Sequence, residues 1–140
     1  MKRVALQKAF IDHYANVAKG LYPKIVKPYG GQLRDPSLIE AMPSLYITVR
    51  SGKSTAQTTN RKLSTYADTV EVIGFCENLS DPDQNYHEGL KLIDWIEEHT
   101  NGIITVDGQP VRIADEISFV GVEDVYPHYA LIATIGVSAQ

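Results

Sequence analysis

Ser80-Asp81-Pro82-Asp83-Gln84, followed by Ile103-Ile104-Thr105-Val106-Asp107-Gly108-Gln109-Pro110-Val111-Arg112-Ile113, is the stretch that sets the fold. In its first segment Asp81 is placed to cap a helix, Pro82 suits the first helical position, and Gln84 completes a capping-box pattern. The spacing predicts a helix to about His99, with Tyr86, Leu90, Ile93 and Ile96 inward and Gly102 as its stop. In the second segment Asp107-Gly108 lies between two apolar arms, the signal of a type I′ hairpin. Pro110 cannot donate to a ladder, so its arm belongs on a sheet edge.

Upstream, Val4, Leu6, Phe10, Ile11, Tyr14, Val17 and Ala18 recur at helical steps, which predicts a first helix from about Lys2 to Lys19 stopped by Gly20. Leu21 to Gly31 carries Pro23, Pro28, Gly30 and Gly31 and reads as an irregular, extended connection. Asp35-Pro36 opens a short helical turn that Pro43 ends. Ser44 to Arg50 alternates as a half-buried strand, with Leu45, Ile47 and Val49 on one face. Thr65 to Cys76 is a longer strand, apolar on both faces late in its course, which implies cover on both sides there. Further strands are expected at Ile117–Val122 and His128–Val137. This order gives an α+β domain: a mostly antiparallel sheet of about four strands plus a hairpin, with two main helices on one face.

The chain has 140 residues, the length of a single domain spanning 1–140. With 44% hydrophobic and 21% charged residues it falls in the ordinary globular range. The formal charge of −4 argues against a free-standing nucleic-acid binder. No apolar run approaches the ~20 residues of a membrane span. Gln7 and Lys8 interrupt any signal-like stretch, so synthesis in the cytoplasm is expected. Cys76, the single cysteine, reads as a buried thiol.

The chemistry-bearing motifs are fragmentary. Ser51-Gly52-Lys53-Ser54-Thr55 looks like the end of a phosphate loop, but the required first glycine is Ile47, inside a strand. Asp81, Asp83 and Asn85 start like a calcium loop, yet its glycine and glutamate positions hold Tyr86 and Leu92. His87-Glu88 begins like a zinc-protease helix, with Lys91 where the second histidine belongs. His13, His87, His99 and His128 have no metal-ligand spacing. No catalytic residue, cofactor site or metal site is therefore assigned. The segment from Arg50 to Ala67 holds Arg50, Lys53, Arg61 and Lys62 and no acid. It reads either as a solvated loop or as a protruding basic arm for an acidic partner or a nucleic-acid backbone. Tyr22, Tyr29, Tyr126 and Tyr129, near element ends, suit an interface or a core equally.

Taken in sequence, the elements are an amphipathic first helix, a Pro/Gly-rich connection, Met42-Pro43-Ser44-Leu45-Tyr46-Ile47-Thr48-Val49 as a proline-led strand, and a polar loop. Then come Thr69-Val70-Glu71-Val72-Ile73-Gly74-Phe75, the Pro82-capped helix, the hairpin and two closing strands. This pattern, over nearly the whole chain, resembles the tail-terminator and tail-completion proteins of long-tailed bacteriophages and Mu-like prophages. The resemblance implies a non-enzymatic virion protein assembled in the host cytoplasm and residing at the head–tail junction. It implies a self-associated ring, usually a hexamer, that caps the tail tube protein, ends tube polymerisation and receives the head connector. It also implies a possible anchor for a tail sheath, DNA only as passing cargo, and no membrane. The alternatives are another head–tail connector or neck protein, a small ligand-binding or enzymatic α+β domain, and a nucleic-acid module centred on the basic segment.

Overall fold

The computed structural model describes residues 2–50, 68–77, 82–103, 105–122 and 128–139, with the backbone alone at 82–86, 115, 128 and 139. Helix α1 (Arg3–Ala18) leads to strand β1 (Ile25–Pro28), a 3-10 turn (Pro36–Leu38) and strands β2 (Ser44–Arg50) and β3 (Asp68–Glu77). Helix α2 (Pro82–Thr100) then precedes β4 (Thr105–Val106), β5 (Gln109–Val122) and β6 (His128–Ala139). Among the described residues six strands form one sheet in the order β1-β2-β3-β6-β5-β4, and only β1 and β2 run parallel. This is the expected α+β class; against the expected sheet of about four strands plus a hairpin, β1 is added and the hairpin's second arm runs on into the next strand as β5. Both helices pack on one face, α1 reaching β1 and β2 at one end of the sheet and β4 at the other, so the sheet curls round it.

Each helix buries a narrow stripe. In α1 it is Leu6, Phe10, Tyr14 and Ala18, four residues apart. In α2 it includes Gly89, Leu92, Ile96 and Thr100. Val4, expected inward, is 79% exposed, and Leu90, also expected inward, is 58% exposed. The cause is the same in both helices. Val4 and Leu90 each stand two residues before a buried leucine, about 200° round the helix from it.

The expected extended connection contains a strand. β1 pairs with β2 from Ile25 opposite Ser44 to Pro28 opposite Ile47. The following stretch brings Tyr29, Leu33, Ile39 and Met42 over the sheet face that the helices do not touch, against Tyr46, Ile73, Phe75 and Ala130. The two-sided burial expected of β3 is thus supplied by the chain itself. It also buries Ser44 and Tyr46, so β2 is covered on both faces in its first half. Asp35 accepts from the Ser37 backbone N–H, fixing the expected short turn.

At the hairpin both turn residues have positive φ, 52° at Asp107 and 78° at Gly108, as a type I′ turn requires. β4 pairs only with Gln109 and Pro110. From Val111 onward β5 pairs with β6 instead, as one long strand rather than two. Between Ile113 and Ile117 three β5 residues face a single β6 residue, Gly136. The excess is two, so side-chain alternation resumes on the same faces.

The helices are joined by polar contacts at their ends. The Tyr14 hydroxyl lies 2.7 Å from Thr100 Oγ1, both fully buried, and Thr100 donates to the Ile96 carbonyl. His13 Nε2 donates to the His99 carbonyl at 2.7 Å. Gln7 donates to the Ile47 carbonyl, tying α1 to β2. Replacing Thr100 by Val leaves the buried Tyr14 hydroxyl without its partner and is expected to cost about 1–3 kcal/mol in chemical denaturation. Tyr14→Phe, which leaves Thr100 its Ile96 bond, is expected to cost less, about 0.5–1.5 kcal/mol.

Candidate protein-interaction surface

Of the four basic residues singled out, Arg50 lies among the described residues; Lys53, Arg61 and Lys62 lie outside them. Arg50 closes β2 opposite Thr69. Its Nε donates to Glu71 Oε1 at 3.1 Å. The Arg50 side chain is 70% exposed and that of Glu71 only 16%. Arg50 is therefore a cation tethered at the root of the basic segment, with part of its charge answered from within the sheet. An ion pair this open contributes about 0–1 kcal/mol, so its value is in orientation. The phosphate-loop-like residues 51–55 and the cap residue Asp81 also lie outside the described residues.

The tyrosines are drawn into packing. Tyr29 accepts from the Leu33 N–H and packs on the outer sheet face. Tyr129 on β6 stands opposite Cys76. Its ring lies where a Cβ on Gly89 of α2 would be, at 2.8 Å, and its hydroxyl lies equally close to the position a Cβ would take on Gly121 of β5. Glycine at both places lets the ring sit between helix and strand. Tyr22 packs its ring under the Lys91 ammonium, 5.2 Å from the ring centroid. Its hydroxyl is buried and has no hydrogen-bond partner among the described residues. Tyr126 lies outside the described residues.

Among the described residues the histidine side chains show no convergence on a ligand; the side chain of His128 lies outside them. His13 is spent on the end of α2, and the His99 ring lies tilted against Trp95 with 4.7 Å between ring centroids. His87 is exposed on α2. Among the described residues no three of His, Cys, Asp and Glu are grouped to hold a metal ion. None of the described helices is long and apolar enough to cross a membrane.

Cys76 is buried as expected, with its Sγ 3.7 Å from the Glu88 carbonyl. Burial, reinforced by the nearby Glu88 carboxylate, pushes its thiol from 9.0 up to about 12, against the opposing pull of Lys91. Burial likewise pushes Tyr22 from 10.0 up to about 12, with Cys76 and Glu88 adding to it.

The feature that sequence reasoning did not single out is the outer edge of β5. Among the described residues β5 has β6 alone as a neighbour from Val111 to Val122. Ile117-Ser118-Phe119-Val120-Gly121-Val122 contains no charge and no proline. Soluble proteins guard such edges with charge, proline or brevity. β1 shows all three, with four residues, Pro28 at its end, and Lys27 paired to Glu40 at 2.6 Å. The signal was present in the sequence, as an uncharged six-residue run of high β propensity.

Because Cys76 and Tyr22 hold their protons more tightly folded than unfolded, the folded state binds more protons as alkali is added. Their contribution is complete below pH 9 and is lost as pH rises toward 12. The melting temperature is expected to hold from pH 7 to 9 and then fall, and Cys76→Ala should remove the earliest part of that fall. The wild-type thiol should also resist alkylation at pH 8 until the chain is unfolded.

No protein-family model matches the chain, and no curated protein does. Among solved structures, one named only by an identifier superposes on 100% of this chain and 96% of its own, with a TM-score of 0.56 and 12% sequence identity. At that identity the likeness concerns the fold alone: the α+β arrangement recurs in another chain over nearly its full length.

Proposed function

We propose that this chain is a structural protein of a long-tailed phage particle, a tail terminator. Copies of it form a ring, six in the simplest case, on the last ring of tail tube protein. The ring ends tube growth and presents a surface to the head connector, and to the sheath where the tail contracts; DNA passes through its opening. The observation that carries this reading is the order of elements along the whole chain. Helix, proline-led strand, long second strand, proline-started helix, hairpin and two closing strands follow in the order that the tail-terminator resemblance is built on, and they fold as one sheet with both helices on one side.

Electron microscopy of the chain mixed with tail tube protein tests the proposal. A closed ring on the tube end is the expected image; tubes that keep growing, with this chain absent from their ends, would reject it. In the same assay the combined replacement of Arg50, Lys53, Arg61 and Lys62 by Gln should weaken capping while leaving the melting temperature nearly unchanged, since an exposed pair such as Arg50–Glu71 adds little stability. Capping at full strength by that variant would remove the basic segment from the interface.

A further inference from the structure

Asn101-Gly102 directly follows the last residue of α2 and is the one Asn-Gly pair in the sequence. Asparagine is among the thermolabile side chains. The reaction that makes it so is internal. The nitrogen of the next residue attacks the asparagine side-chain carbonyl carbon, gives up its proton, and expels ammonia as a five-membered imide closes. Water then opens the imide at either of its two carbonyls, giving aspartate or isoaspartate. One amide and one water thus become one carboxylate and one ammonium ion, with no change of oxidation state. A Cβ on the second residue would crowd the attacking nitrogen, and glycine has none.

The fold requires this glycine and also leaves the pair open. A Cβ added at Gly102 would lie 2.6 Å from His13 Cε1 and 3.0 Å from its Nε2. That ring is where it must be to donate to the His99 carbonyl at 2.7 Å. Any residue that would slow the reaction at position 102 therefore collides with the side chain that joins the two helices. Asn101 and Gly102 are both exposed, so water reaches them. The Gly102 N–H donates to the same His99 carbonyl at 3.3 Å, longer than the His13 bond. The nitrogen that must attack is the more weakly held of two donors on one acceptor.

We propose that Asn101 is a self-modification site. The folded chain converts it to aspartate and isoaspartate with water as the sole co-reactant, and the isoaspartyl form loosens the joint between α1 and α2. Either product sets a carboxylate just past the end of α2, where the helix carbonyls concentrate negative charge and Glu97 and Glu98 are exposed. Isoaspartate also inserts a methylene into the main chain between the Asn101 Cα and the Gly102 nitrogen. Thr100, on one side, holds the Tyr14 hydroxyl, and Gly102, on the other, lies against the His13 ring. Lengthening the chain between them disturbs both bonds that tie α1 to α2. None of this rests on the tail-terminator reading.

Storage of the purified chain in mildly alkaline, heavy-oxygen water, followed by peptide mapping, tests the proposal. The fragment carrying residue 101 should gain one heavy oxygen and become a substrate for an isoaspartyl methyltransferase. Asn16, exposed on α1 but followed by Val17, should keep its amide. Asn101→Gln, whose longer side chain must close a larger ring, should lose the label and melt like the parent when fresh. The converted parent should melt roughly 2–8 °C below the fresh chain, while Asn101→Gln stored alongside should hold its value. Fresh Asn101→Asp, which has the charge without the added methylene, should melt nearer to the fresh parent than to the converted one. A folded chain that keeps the Asn101 amide while the same chain in denaturant loses it would overturn the proposal, because the fold would then protect the pair. A converted chain that melts at the fresh value would overturn the loosening of the joint.

Discussion

The contact between Leu92 and Gly74 is the one on which the rest of the structure depends. β3 is the strand where both faces of the sheet are covered, and α2 must come close to it for the core to close. A Cβ added at Gly74 would lie 2.7 Å from Leu92 Cδ2. Leu92 is fully buried, so it has nowhere to retreat. The absence of a side chain at one position of β3 therefore sets the distance between helix and sheet. Gly89 does the same for the helix against Tyr129. A glycine inside a helix gives up roughly 1 kcal/mol relative to alanine. That cost is tolerated here because the alanine methyl would meet the tyrosine ring at 2.8 Å.

With α2 fixed, α1 follows. The Tyr14–Thr100 hydrogen bond and the His13 bond to the His99 carbonyl both act on the last turn of α2. That turn is where unpaired carbonyls need donors. Tyr14 also packs against Trp95 with ring centroids 5.5 Å apart. The two helices thus form a unit whose polar atoms are satisfied at the joint, and the sheet curls round it from β1 to β4. The outer face is treated differently. The stretch from Tyr29 to Met42, regular only at the 3-10 turn Pro36–Leu38, covers the end of the sheet near Phe75 and leaves Val120 to solvent.

Much of this was legible in the sequence. The Asp107-Gly108 turn, β2 and the two-sided β3 are where local chemistry and tertiary structure agree. The differences have two causes. Helical periodicity in α1 and α2 offered more apolar residues than one stripe holds, and Val4 and Leu90 were counted inward although partners two residues away occupy the buried face. β1 was missed because Ile25–Pro28 is a strand only by virtue of β2 beside it; its prolines and glycines read as a connection, and strand formation answers to neighbours more than to propensity. The candidate site was legible in part. Arg50 could be named, but its partner Glu71 arrives from another strand across a register that no local pattern encodes.

The two ends of the sheet make the strongest contrast in the molecule. At β1 the edge is four residues long, ends in a proline and carries an ion pair, which are the devices by which a chain refuses further strands. At β5 the first part carries Pro110, Arg112, Asp115, Glu116 and a bulge, and the uncharged run is confined to Ile117–Val122, where Val120 is exposed. A single lysine in place of Val120 would guard this last part as well, at little cost to an exposed position.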